Sequence, residues 1–154
     1  MPVFTSIAHI AFRVRDLDKS LEFYEKLGFP EFLRLNNDDK KPWIVYLRVT
    51  DSLYLELFPG GDVPVERNRT GVDHLSLEAP DIDETVAHLE KLGIVLTSPL
   101  DADPGIDGNR GCWITDPDGN RIEIMEMAPD CIQFEAVSAM NRGEGKTALH
   151  KPLR

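Results

Sequence analysis

Cysteine is scarce in this chain of 154 residues, with Cys112 and Cys131 the only two. Two thiols can build neither a disulfide framework nor a four-cysteine zinc site, so both are expected to be reduced. Positive charge is also in short supply. Against 27 Asp and Glu stand 17 Lys and Arg, a formal net charge of -10. That field repels phosphate backbones, which argues against nucleic acid as a partner. No apolar run approaches the roughly 20 residues needed to cross a bilayer. The N-terminus has neither the basic segment nor the apolar core of a signal peptide, so the expected setting is the cytoplasm, away from membranes. Histidine occurs only four times, which makes its placement informative.

What is present is a globular composition. Apolar residues make up 42% of the chain and charged residues 29%, enough of each for a buried core under a solvated surface. The length suits one domain, or two small modules sharing a core.

The chain carries an internal repeat. Asp16-Leu17-Asp18 and Glu25-Lys26-Leu27-Gly28 recur as Asp81-Ile82-Asp83 and Glu90-Lys91-Leu92-Gly93, each 65 residues later. His9 and His74 share that offset, and Glu56 and Glu123 are separated by 67. Self-similarity at a fixed spacing marks a duplicated structural unit. The expected organisation is a domain over 1–127, with module one at about 5–58, a linker at about 59–71 and module two at about 72–127. Residues 128–154 then form a C-terminal helix or tail.

Each module reads as strand, helix and three strands. The first strand alternates over Ile7 to Val14. Asp16 or Asp18 caps a helix that runs to Leu27 and stops at Gly28. Strands follow near Glu31 to Leu35, Trp43 to Val49 and Leu53 to Phe58, with Asp51-Ser52 turning the last pair. The second module repeats this with a strand at Val72 to Glu78, a helix from about Asp83 to Leu92, and strands near Val95 to Ser98, Gly111 to Thr115 and Arg121 to Met125. Asp116-Pro117-Asp118-Gly119-Asn120 is a strong turn signal. A short helix is expected within Pro129 to Met140.

Successive side chains on a strand face opposite sides. Ala8, Ile10, Phe12 and Val14 form one apolar face, which leaves His9 and Arg13 on the other. Leu53, Leu55 and Leu57 leave Tyr54, Glu56 and Phe58 opposite, where Tyr54 and Phe58 are placed to line a pocket. The same alternation sets His74 and Glu123 away from the helices. A His or Glu on a polar sheet face is ordinarily just solvated. Here both residue types recur at equivalent positions, and a two-fold arrangement would gather them around one divalent ion, which compensates their burial. Two imidazoles and two carboxylates are compatible with zinc, nickel, cobalt, iron(II) or manganese, and make a poor calcium site. His88 and His150 are not expected to be ligands. Trp43 and Trp113 read as core residues of their strands.

These features together resemble the vicinal oxygen chelate superfamily of glyoxalases, ring-cleaving dioxygenases, fosfomycin-resistance proteins and bleomycin-binding proteins. The resemblance covers about residues 5 to 127. It rests on His9-Ile10-Ala11-Phe12-Arg13-Val14-Arg15-Asp16 with Ser20-Leu21-Glu22-Phe23-Tyr24, on Asp73-His74-Leu75, and above all on Asp116-Pro117-Asp118-Gly119-Asn120-Arg121-Ile122-Glu123. It implies an α+β fold in which two βαβββ modules form a curled, barrel-like mixed sheet around a central metal, frequently within a homodimer.

The His, Glu, His, Glu order is similar to that of glyoxalase I, also called lactoylglutathione lyase. Such a resemblance implies conversion of a 2-oxoaldehyde hemithioacetal to a 2-hydroxyacyl thioester through an enediolate. His9, Glu56, His74 and Glu123 would hold nickel, cobalt or zinc, or else iron or manganese, with Glu123 or Glu56 as the base and Glu123 slightly favoured. Arg13 matches a position that helps to hold a glutathione carboxylate. The stretch Leu57-Phe58-Pro59-Gly60-Gly61 lacks the Asn that such enzymes use for glutathione, which leaves the small-molecule thiol open. The alternatives are a metal-dependent epimerase or dioxygenase of the same superfamily, and a non-enzymatic drug- or metabolite-binding protein.

Overall fold

A computed structural model describes residues 6–62 and 71–144. Its described residues divide into two compact units. The first contains the N-terminal half together with Asp116–Asn120, and the second runs from His74 to Thr115 and onward from Arg121. The expected tail beyond 144, with His150, and most of the expected linker lie outside the described residues.

The first unit is a complete βαβββ module. Strand β1 (His9–Val14) leads into helix α1 (Leu17–Lys26), followed by β2 (Glu31–Asn36), β3 (Pro42–Arg48) and β4 (Tyr54–Pro59). The Asp16 side chain caps α1 by accepting from the Lys19 N–H, and Lys26 in the last turn complements the helix dipole. Gly28 closes the helix at a φ of 84°, a conformation only glycine adopts without strain. The sheet order is β1-β4-β3-β2. The parallel β1/β4 pair at one edge is joined through antiparallel ladders to β3 and β2. Val14, Val45, Leu47, Leu55 and Leu57 are buried with Tyr24 of α1, and each such side chain removed from water contributes about 1.5–3 kcal/mol.

The second unit repeats the plan. It contains β5 (Leu75–Glu78), α2 (Ile82–Lys91), β6 (Arg110–Thr115), β7 (Arg121–Glu126) and α3 (Ile132–Asn141). Asp81 caps α2 through the Glu84 N–H, and Gly93 has a φ of 73°, so caps and stops recur with the same 65-residue offset. Its sheet has three strands in the order β5-β7-β6. The strand expected at Val95 to Ser98 does not form. Only a bridge between Ser98 and Trp113 remains, because Pro99 has no N–H to donate and Val95 is exposed. The first strand of this unit begins at Leu75, so His74 stands just before it rather than inside it.

The α+β duplication is as expected, but the described strands make sheets of four and three strands instead of a closed barrel. Both cysteines are free and buried. Among the described residues no helix is long and apolar enough to cross a membrane.

Candidate metal centre

The two expected His and Glu pairs form, one in each unit. In the first, β1 and β4 run parallel with His9 opposite Tyr54 and Ala11 opposite Glu56. This register brings His9 Nε2 to 3.7 Å from Glu56 Oε2. In the second, Ser76 lies opposite Glu123, and His74 Nε2 comes to 3.5 Å from Glu123 Oε2. The alternating burial of β4 and β7 holds both carboxylates on the face opposite the buried leucines and isoleucines. The carboxylates are 12% and 17% exposed and the imidazoles 42% and 33%, so the donors line an accessible surface instead of a sealed core.

Both separations are longer than the 2.7–3.2 Å of a hydrogen bond. Ligand bonds of about 2.0–2.2 Å, meeting at about 90–110°, place two donors of one ion roughly 3.0–3.5 Å apart. The His74 and Glu123 pair stands at the upper end of that spacing and the His9 and Glu56 pair slightly beyond it. Each pair offers one nitrogen and one oxygen donor, and sulfur is absent from both. Among the described residues no group of three or more His, Cys, Asp or Glu side chains is assembled to hold a metal ion. His88 lies on α2.

The surroundings of the pairs were only partly legible in the sequence. Tyr54 stacks on the His9 ring at 5.4 Å between centroids. Tyr46 lies opposite Glu56 in the β3/β4 ladder, and burial, then the Glu56 charge, push its phenol above the ordinary value. Phe32 stands edge-on to both tyrosines. In the second unit Trp113 lies opposite Glu123 and meets the His74 ring edge-on at 4.8 Å. The guanidinium of Arg121 stacks over Trp113 at 4.1 Å. The expectation that both tryptophans are core residues is thus corrected. Trp43 is exposed, and Trp113 walls a donor pair, on the face of β6 opposite the buried Cys112 and Ile114. Sequence reading missed Tyr46, Phe32 and Arg121. The available signal was the repeat itself, since Tyr46/Trp113 and Tyr54/Arg121 share the 67-residue offset of the two glutamates.

Phe58 is half-buried on the Glu56 face of β4. Arg13 lies beside it, with its guanidinium carbon 5.7 Å from the ring centroid and Nη1 donating to the Pro59 carbonyl at 3.3 Å.

The turn Asp116–Asn120 is a scaffold of the first unit. One Asp116 oxygen accepts from the Asp118 and Asn120 N–H groups, and the other accepts from the Asn120 amide and the Tyr24 hydroxyl. Asp118 in turn accepts from Arg15 and Ser20.

Residues 6–124 match the family model of the Glyoxalase/Bleomycin resistance protein/Dioxygenase superfamily. A probable trivalent organoarsenical cleaving enzyme of Bacillus subtilis is 30% identical over 119 residues, covering 75% of this chain and 76% of that protein. A probable lactoylglutathione lyase of Vibrio cholerae is 29% identical over 127 residues, covering 78% and 89%. The crystal structure of a glyoxalase family protein from Enterococcus faecalis superposes with a TM-score of 0.67 at 28% identity, covering 80% of this chain and 98% of that one.

Proposed function

This chain belongs to the Glyoxalase/Bleomycin resistance protein/Dioxygenase superfamily, and from that premise we propose that it is a metal-dependent lyase of the glyoxalase I kind. The observation that carries the reading is the recurrence of one His and Glu donor pair in each unit, at 3.7 and 3.5 Å. His9, Glu56, His74 and Glu123 would hold nickel, cobalt or zinc, with iron(II) or manganese also compatible with the donors. When bound, such an ion supplies Lewis-acid polarisation of two vicinal substrate oxygens.

The chain's own carboxylates do the proton work. Either Glu123 or Glu56 removes the carbon-bound proton of a hemithioacetal and returns it to the neighbouring carbon. The product is a 2-hydroxyacyl thioester, an isomer of the substrate, so no oxidant or reductant is consumed. Positioned acid–base catalysis of this sort contributes about 10²–10⁴-fold. Tyr54 and Phe58 give the first pair an apolar flank that limits water. Arg13, braced on Phe58, is the candidate cation for a carboxylate of the thiol. A homodimer is the proposed assembly.

A second reading draws on the Bacillus subtilis relative, in which the same donor pairs would serve cleavage of a trivalent organoarsenical. Elemental analysis of the purified protein, then assays of the reconstituted form on glutathione and bacillithiol hemithioacetals and on a trivalent organoarsenical, test both. Stoichiometric metal with thioester formation supports the lyase. Stoichiometric metal with organoarsenical consumption alone transfers support to the second reading. Protein that takes up none of the five metals sinks both.

A further inference from the structure

The β2/β3 ladder breaks step close to the His9 and Glu56 pair. Leu33 stands opposite Tyr46 and Glu31 opposite Leu47, so one step along β3 answers two along β2, and Phe32 is the extra residue. A bulge of this kind re-aims a side chain that strict alternation would send to the other face of the sheet. The Phe32 ring accordingly stands edge-on to Tyr46 at 6.0 Å and to Tyr54 at 5.9 Å. Tyr46 and Tyr54 are themselves 5.7 Å apart, so the three rings form one compact group.

That group adjoins the donors. The Tyr54 ring lies nearly parallel to the His9 imidazole, with 22° between their planes, and Tyr46 lies opposite Glu56. The two tyrosines are half-buried, whereas Phe32 is 52% exposed. Apolar surface left in water is unfavourable by itself, and a contiguous patch of it beside polar groups marks a binding site. The repeat supplies no counterpart. The position 65 residues after Phe32 is Thr97, in the segment where no strand forms.

The chemistry of the patch selects its occupant. Aromatic rings favour edge-to-face or offset contacts with centroids about 4.5–7 Å apart, which contribute beyond the area they bury. Phe32, Tyr46 and Tyr54 use that geometry among themselves, and the exposed side of Phe32 leaves it open to a further ring. Continuity with His9 and Glu56 ties such a ring to a molecule whose oxygens lie at the donor pair.

We infer that Phe32, Tyr46 and Tyr54 form a subsite for an aryl substituent, so that the site selects aryl over methyl vicinal-oxygen compounds. This rests on the proposed metal-dependent reading for the location of the reacting oxygens, whereas the ring group lies wholly within the first unit.

The test titrates full-length, nickel-reconstituted protein calorimetrically with acetohydroxamate, cyclohexanecarbohydroxamate and benzohydroxamate. All share the vicinal oxygens, the last two carry carbon rings of similar size, and only the last is aromatic. Benzohydroxamate is expected to bind roughly tenfold or more tighter than acetohydroxamate and about threefold tighter than the cyclohexyl compound. Phe32→Ala is expected to shrink the first ratio at least about fivefold. Phe32→Leu, apolar without the ring, is expected to erase the margin over the cyclohexyl compound and serves if the alanine variant does not fold. Phe134→Ala, which removes an exposed ring from α3, is expected to retain both ratios. Equal binding of the phenyl and cyclohexyl compounds by the parent, ratios that survive both Phe32 variants, or their loss in Phe134→Ala overturns the inference. So does a Phe32→Ala protein whose sedimentation shows altered subunit stoichiometry with its ratios intact, which assigns the rings to a contact between copies. If no hydroxamate binds, the metal-dependent reading has failed, and benzohydroxamate titrated into metal-free protein decides by NMR. Saturable amide shifts in β2 and β3 that Phe32→Ala removes support the aryl subsite, and no shift overturns it.

Discussion

The Tyr24 hydroxyl donates to the Asp116 carboxylate at 2.9 Å, both groups being buried, although 92 residues separate them. Burial, then the Asp116 charge, push the Tyr24 phenol far above its ordinary range, so the proton stays on tyrosine. A hydrogen bond to a charged acceptor contributes about 1.5–3 kcal/mol net. Tyr24→Phe is therefore expected to destabilise the protein by about 2 kcal/mol in urea unfolding. Asp116→Ala is expected to cost more, because the Asp118 and Asn120 N–H groups lose their acceptor as well. Equal, negligible losses in both variants would count against this account of the turn.

A side chain at Gly61 would be tightly crowded. A Cβ there would approach the Val14 backbone carbon at 3.1 Å and its carbonyl oxygen at 3.2 Å, while the Gly61 N–H donates to that same oxygen. Gly61→Ala is expected to cost about 1–3 kcal/mol, the usual scale of overpacking, by pushing the chain beyond β4 away from the end of β1. Thermal melts read the loss. A variant as stable as the parent would show that this contact relaxes freely.

Each proposed metal donor has its own expected signature. Saturating nickel or cobalt is expected to raise Tm by mass action, since the ion binds the folded state, and chelator is expected to reverse the rise. His9→Ala, Glu56→Gln, His74→Ala and Glu123→Gln are each expected to weaken binding at least tenfold and to reduce that rise. Calorimetric titration of the four variants checks this. Loss of binding in only one pair would restrict the site to a single unit.

The Asp107 carboxylate accepts from the Gln133 amide and from the Asn109 backbone and side chain. These bonds, Gln133 foremost, hold its carboxyl below the ordinary carboxylate value. The depressed folded-state value means the contribution is complete above the unfolded carboxylate range near pH 4 and fades as pH falls through the lower folded value. Melts of wild type and Asp107→Asn from about pH 3 to 7 are expected to show a wild-type advantage that shrinks towards the acid end. An advantage independent of pH would assign it to packing.

Signals read along the chain determined much of this protein. The caps Asp16 and Asp81, the glycines at 28 and 93 and the alternation of β1, β4 and β7 depend on residues a few positions apart, so they were legible without tertiary information. They sufficed for the duplicated α+β plan and for the strand faces on which His9, Glu56 and Glu123 lie. Only the tertiary structure decided the cross-strand register, which sets Tyr46 beside Glu56 and Trp113 beside Glu123. It also decided that Ser98 makes a bridge instead of a strand, and that Asp116–Asn120 belongs with Tyr24 and Arg15. Those outcomes depend on partners far away in sequence, and on whether a neighbouring strand can supply the hydrogen bonds that each N–H and carbonyl requires.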